Sequence, residues 1–254
     1  MRAIVLGSGT SAGVPVIGCD CSICQSDDPK NKRTRSSIVV EKGKTRILID
    51  TAPEMRIQIV NAGIRSIDAV MYTHLHADHS AGFDDLRAFW FHSKENMPVY
   101  LRDYYMAELK KRFYYAFENT GYLGAVPQTD LRDIPDNSFR IGDIEVEPID
   151  LPHGNVSSTA FLMGSFAYAT DFKRFSPEQI ANWRGRIHTM VNGIHFGSHN
   201  THSVIPETVA LFEELEVKRG IITHLSHDVD YEKHQNDIPH HCEFAYDGMI
   251  IDLP

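Results

Sequence analysis

His74-Leu75-His76-Ala77-Asp78-His79 is the stretch that decides this fold. It follows Ala69-Val70-Met71-Tyr72, a short apolar run that reads as a buried strand, with Thr73 between the two. Residues two apart on extended backbone point to the same side, so His74 and His76 can share one metal ion. If the chain turns into a helix after His76, Asp78 and His79 project elsewhere, toward a second cation nearby. Three imidazoles and a carboxylate this close together supply N/O ligands for Zn, Mn or Fe.

Working outward, other predicted strands end at residues of the same kind. Ser36–Val40 and Thr45–Ile49 flank Glu41-Lys42-Gly43-Lys44 as a β-hairpin, and the second strand delivers Asp50 to its end. Arg2–Leu6 is a strand running into Gly7-Ser8-Gly9-Thr10, where small residues let the backbone approach a neighbour closely. Ile144–Ile149, Thr159–Met163 and Phe166–Ala169 form a predicted antiparallel meander, and Gly220–Ile222 feeds Thr223-His224. Strand ends carrying His or Asp should converge on one edge.

The predicted helices are Glu54–Asn61, with Met55, Ile57 and Val60 inward, then Gly82–Phe91 and Tyr104–Phe117. Pro177–Trp183, capped by Ser176, and Ile205–Glu216 follow. Gly121–Asn137 reads as an irregular insertion, and Ala245–Leu253 as a hairpin around Asp247-Gly248. No linker or repeat divides residues 1–254, so one domain is expected.

Cys19, Cys21 and Cys24 give C-x-C-x2-C, with Cys242 far away. Without an export signal this spacing reads as metal binding before disulfide. Three thiolates leave one corner of a tetrahedral zinc open. His227 and Cys242 are both candidates; His227, three residues after His224, is preferred.

The 254 residues include 42% hydrophobic and 23% charged side chains, which excludes disordered and collagen-like classes. No apolar run approaches the roughly 18 residues of a membrane span. The expectation is a soluble cytoplasmic protein. A net charge of −9 argues against broad attraction to nucleic acid or an anionic membrane. A small anionic substrate stays compatible where metal ions dominate the local field. Fourteen histidines fit metals and proton transfer. Lys30–Arg35 is the main basic run; Arg33 and Arg35 read as a solvated connection or, alternatively, as a phosphate contact. Tyr104, Tyr105, Phe113, Tyr114, Tyr115 and Phe117 suit a core or a homodimer surface better than a base-stacking platform.

The histidine motif resembles that of the metallo-β-lactamase superfamily. Asp50, His153 in Leu151-Pro152-His153-Gly154, Asp171 in Ala169-Thr170-Asp171-Phe172, and His224 fit the same pattern over essentially the whole chain. Taken alone, His153 and Asp171 would pass for polar turn residues; their order and strand-end placement raise them. The resemblance implies an α/β fold, an αβ/βα four-layer sandwich with the metal site at one edge. It implies that His74, His76 and His153 hold one divalent ion and Asp78, His79 and His224 another. Asp171 would bridge the two ions, and Asp50 would orient a ligand by hydrogen bonding. A narrower group is also similar: the phosphoribosyl cyclic phosphate phosphodiesterases of the carbon–phosphorus lyase pathway. The match runs through Gly7–Thr10, Gly13-Val14-Pro15, Gly18–Cys24, Asp171 and Thr223–His227. There the resemblance implies a structural zinc on Cys19, Cys21, Cys24 and His227.

Two ions about 3.5–4 Å apart activate a bridging water and clamp a phosphodiester. The leaving alkoxide then needs a proton. The resemblance gives that role to His202, with His199 and His195 as rivals; Asp78 is counted as catalytic as well as ligating. The His-Glu-Ala-Thr segment and long arm of tRNA 3′-processing relatives are missing, which argues against a polymeric substrate. The expected activity is hydrolysis of a small cyclic phosphodiester, of ribosyl 1,2-cyclic phosphate or 2′,3′-cyclic nucleotide type. The competing readings are a metallo-hydrolase of thioesters, lactones or lactams, and a non-catalytic binding or cofactor-biosynthesis accessory protein.

Overall fold

The structure, a computed structural model, describes residues 1–118, 125–195, 197 and 200–254. Period-two alternation builds its first sheet. Ile38 and Val40, Ile47 and Ile49, and Ala69 and Met71 face a central layer, while Val39, Leu48, Val70 and Val99 face an outer one. Buried on both faces, such strands must be covered on both sides. The sheet contains β1 (Arg2–Gly7), β2 (Ser37–Lys42), β3 (Thr45–Ile49), β4 (Ala69–Met71), β5 (Met97–Leu101), β6 (Thr129–Asp133) and β14 (Ile250–Asp252). Their order is β14-β1-β2-β3-β4-β5-β6. On its outer face lie α1 (Met55–Asn61), α3 (Arg87–Ser93) and α4 (Asp103–Arg112), while α2 (Ala77–Ser80) follows the loop after β4.

The second sheet repeats the plan. It contains β7 (Phe139–Ile141), β8 (Ile144–His153), β9 (Val156–Met163), β10 (Phe166–Ala169), β11 (Thr189–Gly193), β12 (Arg219–Thr223) and β13 (Cys242–Phe244). The order is β13-β12-β11-β10-β9-β8-β7. Phe166, Tyr168, Val191 and Ile221 meet the first sheet in the central layer. Ala167, Met190 and Ile222 pack outward, against residues of α5 (Pro177–Trp183) and α6 (Ile205–Glu214), with α7 (Tyr231–His234) beside them. Helix, sheet, sheet and helix make four layers. In each sheet an antiparallel portion gives way to a parallel one: β3 to β6 in the first, β10 to β13 in the second. Ligand sites in such sheets lie beyond the carboxyl ends of parallel strands. Asp50, His74, Asp171 and His224 all stand there.

Several expectations need correction. Ile57 and Val60 are exposed; α1 buries Met55, Gln58 and Ile59. Gln58 takes the inward place because its amide donates to Thr34 Oγ1 and to the Arg35 carbonyl, at 2.8 and 2.9 Å. The predicted helix from Gly82 is interrupted by a 3-10 segment over Ala81–Leu86. There Gly82 packs so close that an added Cβ would lie 2.2 Å from the Ala52 carbonyl. The helix from Tyr104 stops at Arg112, ahead of a 3-10 turn at Tyr114–Ala116. The supposedly irregular segment contains β6, an edge strand whose polar Thr-Asp-Leu-Arg-Asp composition hides it. The C-terminal hairpin is absent: β13 and β14 belong to different sheets. Asp247 instead accepts from the amides and hydroxyls of Ser8 and Thr34, at 2.6–2.8 Å.

Candidate metal centre

The turn after β4 brings the motif to the sheet edge, and α2 begins at Ala77. One ligand atom from each of His74, His76, His153 and Asp171 lies within 4.8 Å of the others. The same holds for Asp78, His79, Asp171 and His224, so Asp171 belongs to both clusters. Its Oδ2 lies 3.6 Å from His74 Nε2, 3.2 Å from His79 Nε2 and 3.9 Å from His153 Nε2; its Oδ1 lies 3.4 Å from His224 Nε2. Ligand atoms about 2.0–2.1 Å from a common ion stand roughly 3.0–3.4 Å apart, so these spacings suit divalent ions.

Hydrogen bonds set the tautomers. His79 Nδ1 donates to Asp50 Oδ2 (2.7 Å), His224 Nδ1 to the Ile194 carbonyl (3.0 Å) and His153 Nδ1 to the Thr201 carbonyl (3.2 Å). His74 Nδ1 meets Thr73 Oγ1 at 3.0 Å, and that hydroxyl donates to Asp50 Oδ2 at 2.8 Å. A continuous chain therefore joins His74, Thr73, Asp50 and His79. In the neutral imidazoles each Nε2 then offers a lone pair to its cluster. The Nε2 atoms of His74, His79 and His224 are buried with no hydrogen-bond partner. Orphaned polar atoms of this kind are rare in native interiors, and two ions would satisfy them, one at His74 and the other at His79 and His224.

Charge points the same way. Burial pushes Asp50 up from the ordinary carboxylate range, against the pull of His79. Burial opposes ionisation of Asp171 and Asp78 too, but the neighbouring histidines hold both carboxyls below their usual range. Burial and the charge of His79 keep His74 neutral. Burial would neutralise His79, yet Asp171, Asp50 and Asp78 hold its pKa well above the ordinary value. The carboxylates Asp171 and Asp78 are thus compensated by His79 and His224, whose pKa they raise, and divalent ions would take over that compensation. Asp50, Asp171 and His224 all sit at left-handed backbone angles, with φ of 64°, 53° and 59°.

The cysteine cluster also assembles. His227 Nδ1 lies 3.2, 3.5 and 3.6 Å from the Sγ atoms of Cys19, Cys21 and Cys24. A tetrahedral zinc with its usual bond lengths places sulfur and nitrogen about 3.6 Å apart. The Cys24 amide, aided by Cys19, Cys24 and His227 side chains, lowers the Cys21 thiol to about 6. Cys242 is elsewhere, in the outer core of the second sheet, where burial pushes its thiol up to about 11.

His202 lies against both N/O clusters. Its Nε2 is 3.8 Å from Asp171 Oδ2, its ring stacks on His224 at 5.3 Å, and it meets the His153 ring edge-on at 4.8 Å. His195 stands behind it, ring centres 5.7 Å apart. His199 lies outside the described residues.

The structure corrects both sequence readings at Arg33. Arg33 is buried and donates to the carbonyls of Ser226 and Val229, clamping the loop that carries His227. Arg35 pairs with Glu54. Thr73 was not singled out from sequence; its place directly before His74, in line with Asp50, is the signal that could have found it.

A beta-lactamase superfamily domain matches residues 45–225. The chain belongs to the metallo-β-lactamase superfamily. Within that superfamily, the crystal structure of a diphosphatase from the PhnP family superimposes with a TM-score of 0.91 and 32% identity, covering 100% of this chain and 98% of that one. That likeness places the chain in the PhnP-like group. An octanoyltransferase of Porphyromonas gingivalis is 37% identical over 99% of this chain, which spans only 52% of that protein. Zn(2+)-bound PqqB from Methylobacterium extorquens, at 21% identity and a TM-score of 0.78, shares the fold. Members of the superfamily are metal-dependent hydrolases, and the clusters above are where this member would hold divalent ions. No helix among the described residues is long and apolar enough to cross a membrane.

Proposed function

We propose that the chain is a dinuclear metal-dependent phosphodiesterase acting on a small cyclic phosphodiester, of ribosyl 1,2-cyclic phosphate or 2′,3′-cyclic nucleotide type. His74, His76 and His153 would hold one divalent ion, Asp78, His79 and His224 the other, with Asp171 shared. Zn, Mn or Fe there would supply an acidified water and neutralise the phosphoryl oxygens. The chain's own residues do the rest. Asp50 and Thr73 hold the ligand tautomers. His202 carries the proton for the departing ribose oxygen. Cys19, Cys21, Cys24 and His227 hold a structural zinc that braces the loop following His224.

The observation that carries this reading is the place of His202. It touches the shared carboxylate and two ligand rings yet belongs to neither ligand set. A proton donor there suits a poor alkoxide leaving group. The whole-chain likeness to a PhnP-family diphosphatase supports phosphorus chemistry. One observation favours a second reading: the likeness to half of an octanoyltransferase makes an acyl ester or thioester the alternative substrate. The test is a substrate panel on metal-loaded protein: cyclic ribose phosphates, diphosphate diesters and octanoyl thioesters. Turnover of a cyclic phosphodiester supports the proposal. Turnover of the thioester alone, or binding without turnover, overturns it.

A further inference from the structure

The backbone of the ligand loop has little secondary structure to hold it. β4 ends at Met71 and α2 begins at Ala77, so His74, Leu75 and His76 lie between a strand and a helix. The Leu75 carbonyl stands between two residues whose side chains enter the same cluster. Leu75 is buried, and a buried carbonyl needs a donor. One donor comes from far along the chain. Arg112, the last residue of α4, directs Nη1 to the Leu75 carbonyl and to Ser80 Oγ, the latter at 2.7 Å. Ser80 Oγ in turn lies 2.9 Å from the His76 carbonyl and 3.1 Å from that of Leu75, and donates to them. Glu108, one turn back on α4, holds Nη2 at 2.6 Å and so fixes the fork.

We propose that Arg112 is a positioning residue: its guanidinium holds the Leu75 carbonyl and the Ser80 hydroxyl so that His74 and His76 address one metal ion. It touches no ligand atom and acts through the loop. The planar fork suits this task, because it serves two acceptors and a carboxylate at fixed angles, which an ammonium cannot do. The proposal rests on the reading that the N/O clusters hold metal. It does not depend on which substrate is hydrolysed, because its test needs no substrate.

The experiment compares Arg112→Met and Arg112→Lys in the full chain by competition with a chromophoric zinc chelator, alongside thermal melting of the demetallated proteins. Partners that orient ligands typically change metal affinity about 10–100-fold. Arg112→Met is therefore expected to weaken N/O-cluster affinity by that factor, with Arg112→Lys intermediate. The zinc on Cys19, Cys21 and Cys24 stays bound, and the demetallated proteins melt like the parent. Unchanged N/O-cluster affinity in Arg112→Met overturns the proposal. So does loss of the cysteine-bound zinc together with a lowered melting temperature, which is the mark of a merely structural arginine. Glu108→Gln covers the case in which Arg112→Met fails to fold. It keeps the guanidinium but loosens the fork, and a smaller loss of N/O-cluster affinity is expected. Parent-like affinity there counts against the proposal.

Discussion

Asp50→Asn changes one oxygen to an amide nitrogen and should disturb both N/O clusters together. Asp50 is fully buried. Its Oδ1 accepts from the Thr73 amide at 2.8 Å, so the asparagine carbonyl must take that place. The new NH2 group then occupies the Oδ2 position, facing His79 Nδ1 and the Thr73 hydroxyl. It can only donate. His79 Nδ1 becomes an acceptor, and its proton moves to Nε2. Thr73 Oγ1 also becomes an acceptor and turns its own proton toward His74 Nδ1, which moves the His74 proton to Nε2 as well. Both Nε2 atoms lose the lone pair that faces the clusters. At about 10–100-fold per disturbed site, each metal is weakened by about 1.4–2.7 kcal/mol. The demetallated fold is expected to lose stability as well, because Asp50 is one partner of a buried pair with His79 and removing one partner of such a pair is destabilising. Chelator competition reads the first quantity and melting of the demetallated protein the second. Parent-like affinity for both metals would refute the tautomer argument. Weakening confined to one metal would refute the relay through Thr73.

Asp171→Ala is expected to reduce metal content and activity more than loss of any one terminal ligand, since this carboxylate is shared by both clusters and offsets the repulsion between two dications; near-normal metal content with activity retained would remove it from the shared position. Cys21→Ser should lower zinc content by one equivalent and depress the melting temperature, harming activity mainly indirectly. A parent-like melt with full zinc would speak against a structural ion. His202→Ala should lose about 10²–10⁴-fold in kcat/KM on a cyclic ribose phosphate and much less on an aryl phosphodiester, with metals still bound. Equal losses on both substrates would make it a substrate-positioning group.

The site was more legible in the sequence than the periphery. His74–His79 announces itself because strand geometry and ligand spacing speak together. His153 and Asp171 carry no local signal and were placed by resemblance to a known pattern. Thr73 and Arg112 stayed hidden: a hydroxyl between two acidic or imidazole partners, and an arginine 37 residues beyond Leu75, acquire meaning only once folded. Arg33 misled because a basic run looks solvated, whereas here carbonyls of a distant loop bury it. Ile57 and Val60 misled because a short helix fits more than one register, and the two hydrogen bonds donated by Gln58 Nε2 chose between them. Asp247-Gly248 has the composition of a hairpin, but its carboxylate bonds to the first sheet's loops instead.

Among the described residues, three of the five non-glycine residues with positive φ are Asp50, Asp171 and His224. Each non-glycine residue in that region costs on the order of 1–3 kcal/mol, set against a total stability of about 5–15 kcal/mol. The reactive edge is thus the least relaxed part of the backbone, and bound cations would offset that cost. Selection for heat resistance alone, with catalysis left unwatched, would erode this edge first, replacing its carboxylates and imidazole with glycine or asparagine. A thermostable descendant that has silently lost its chemistry is the failure this architecture invites, so any effort to harden the protein must score turnover at every round.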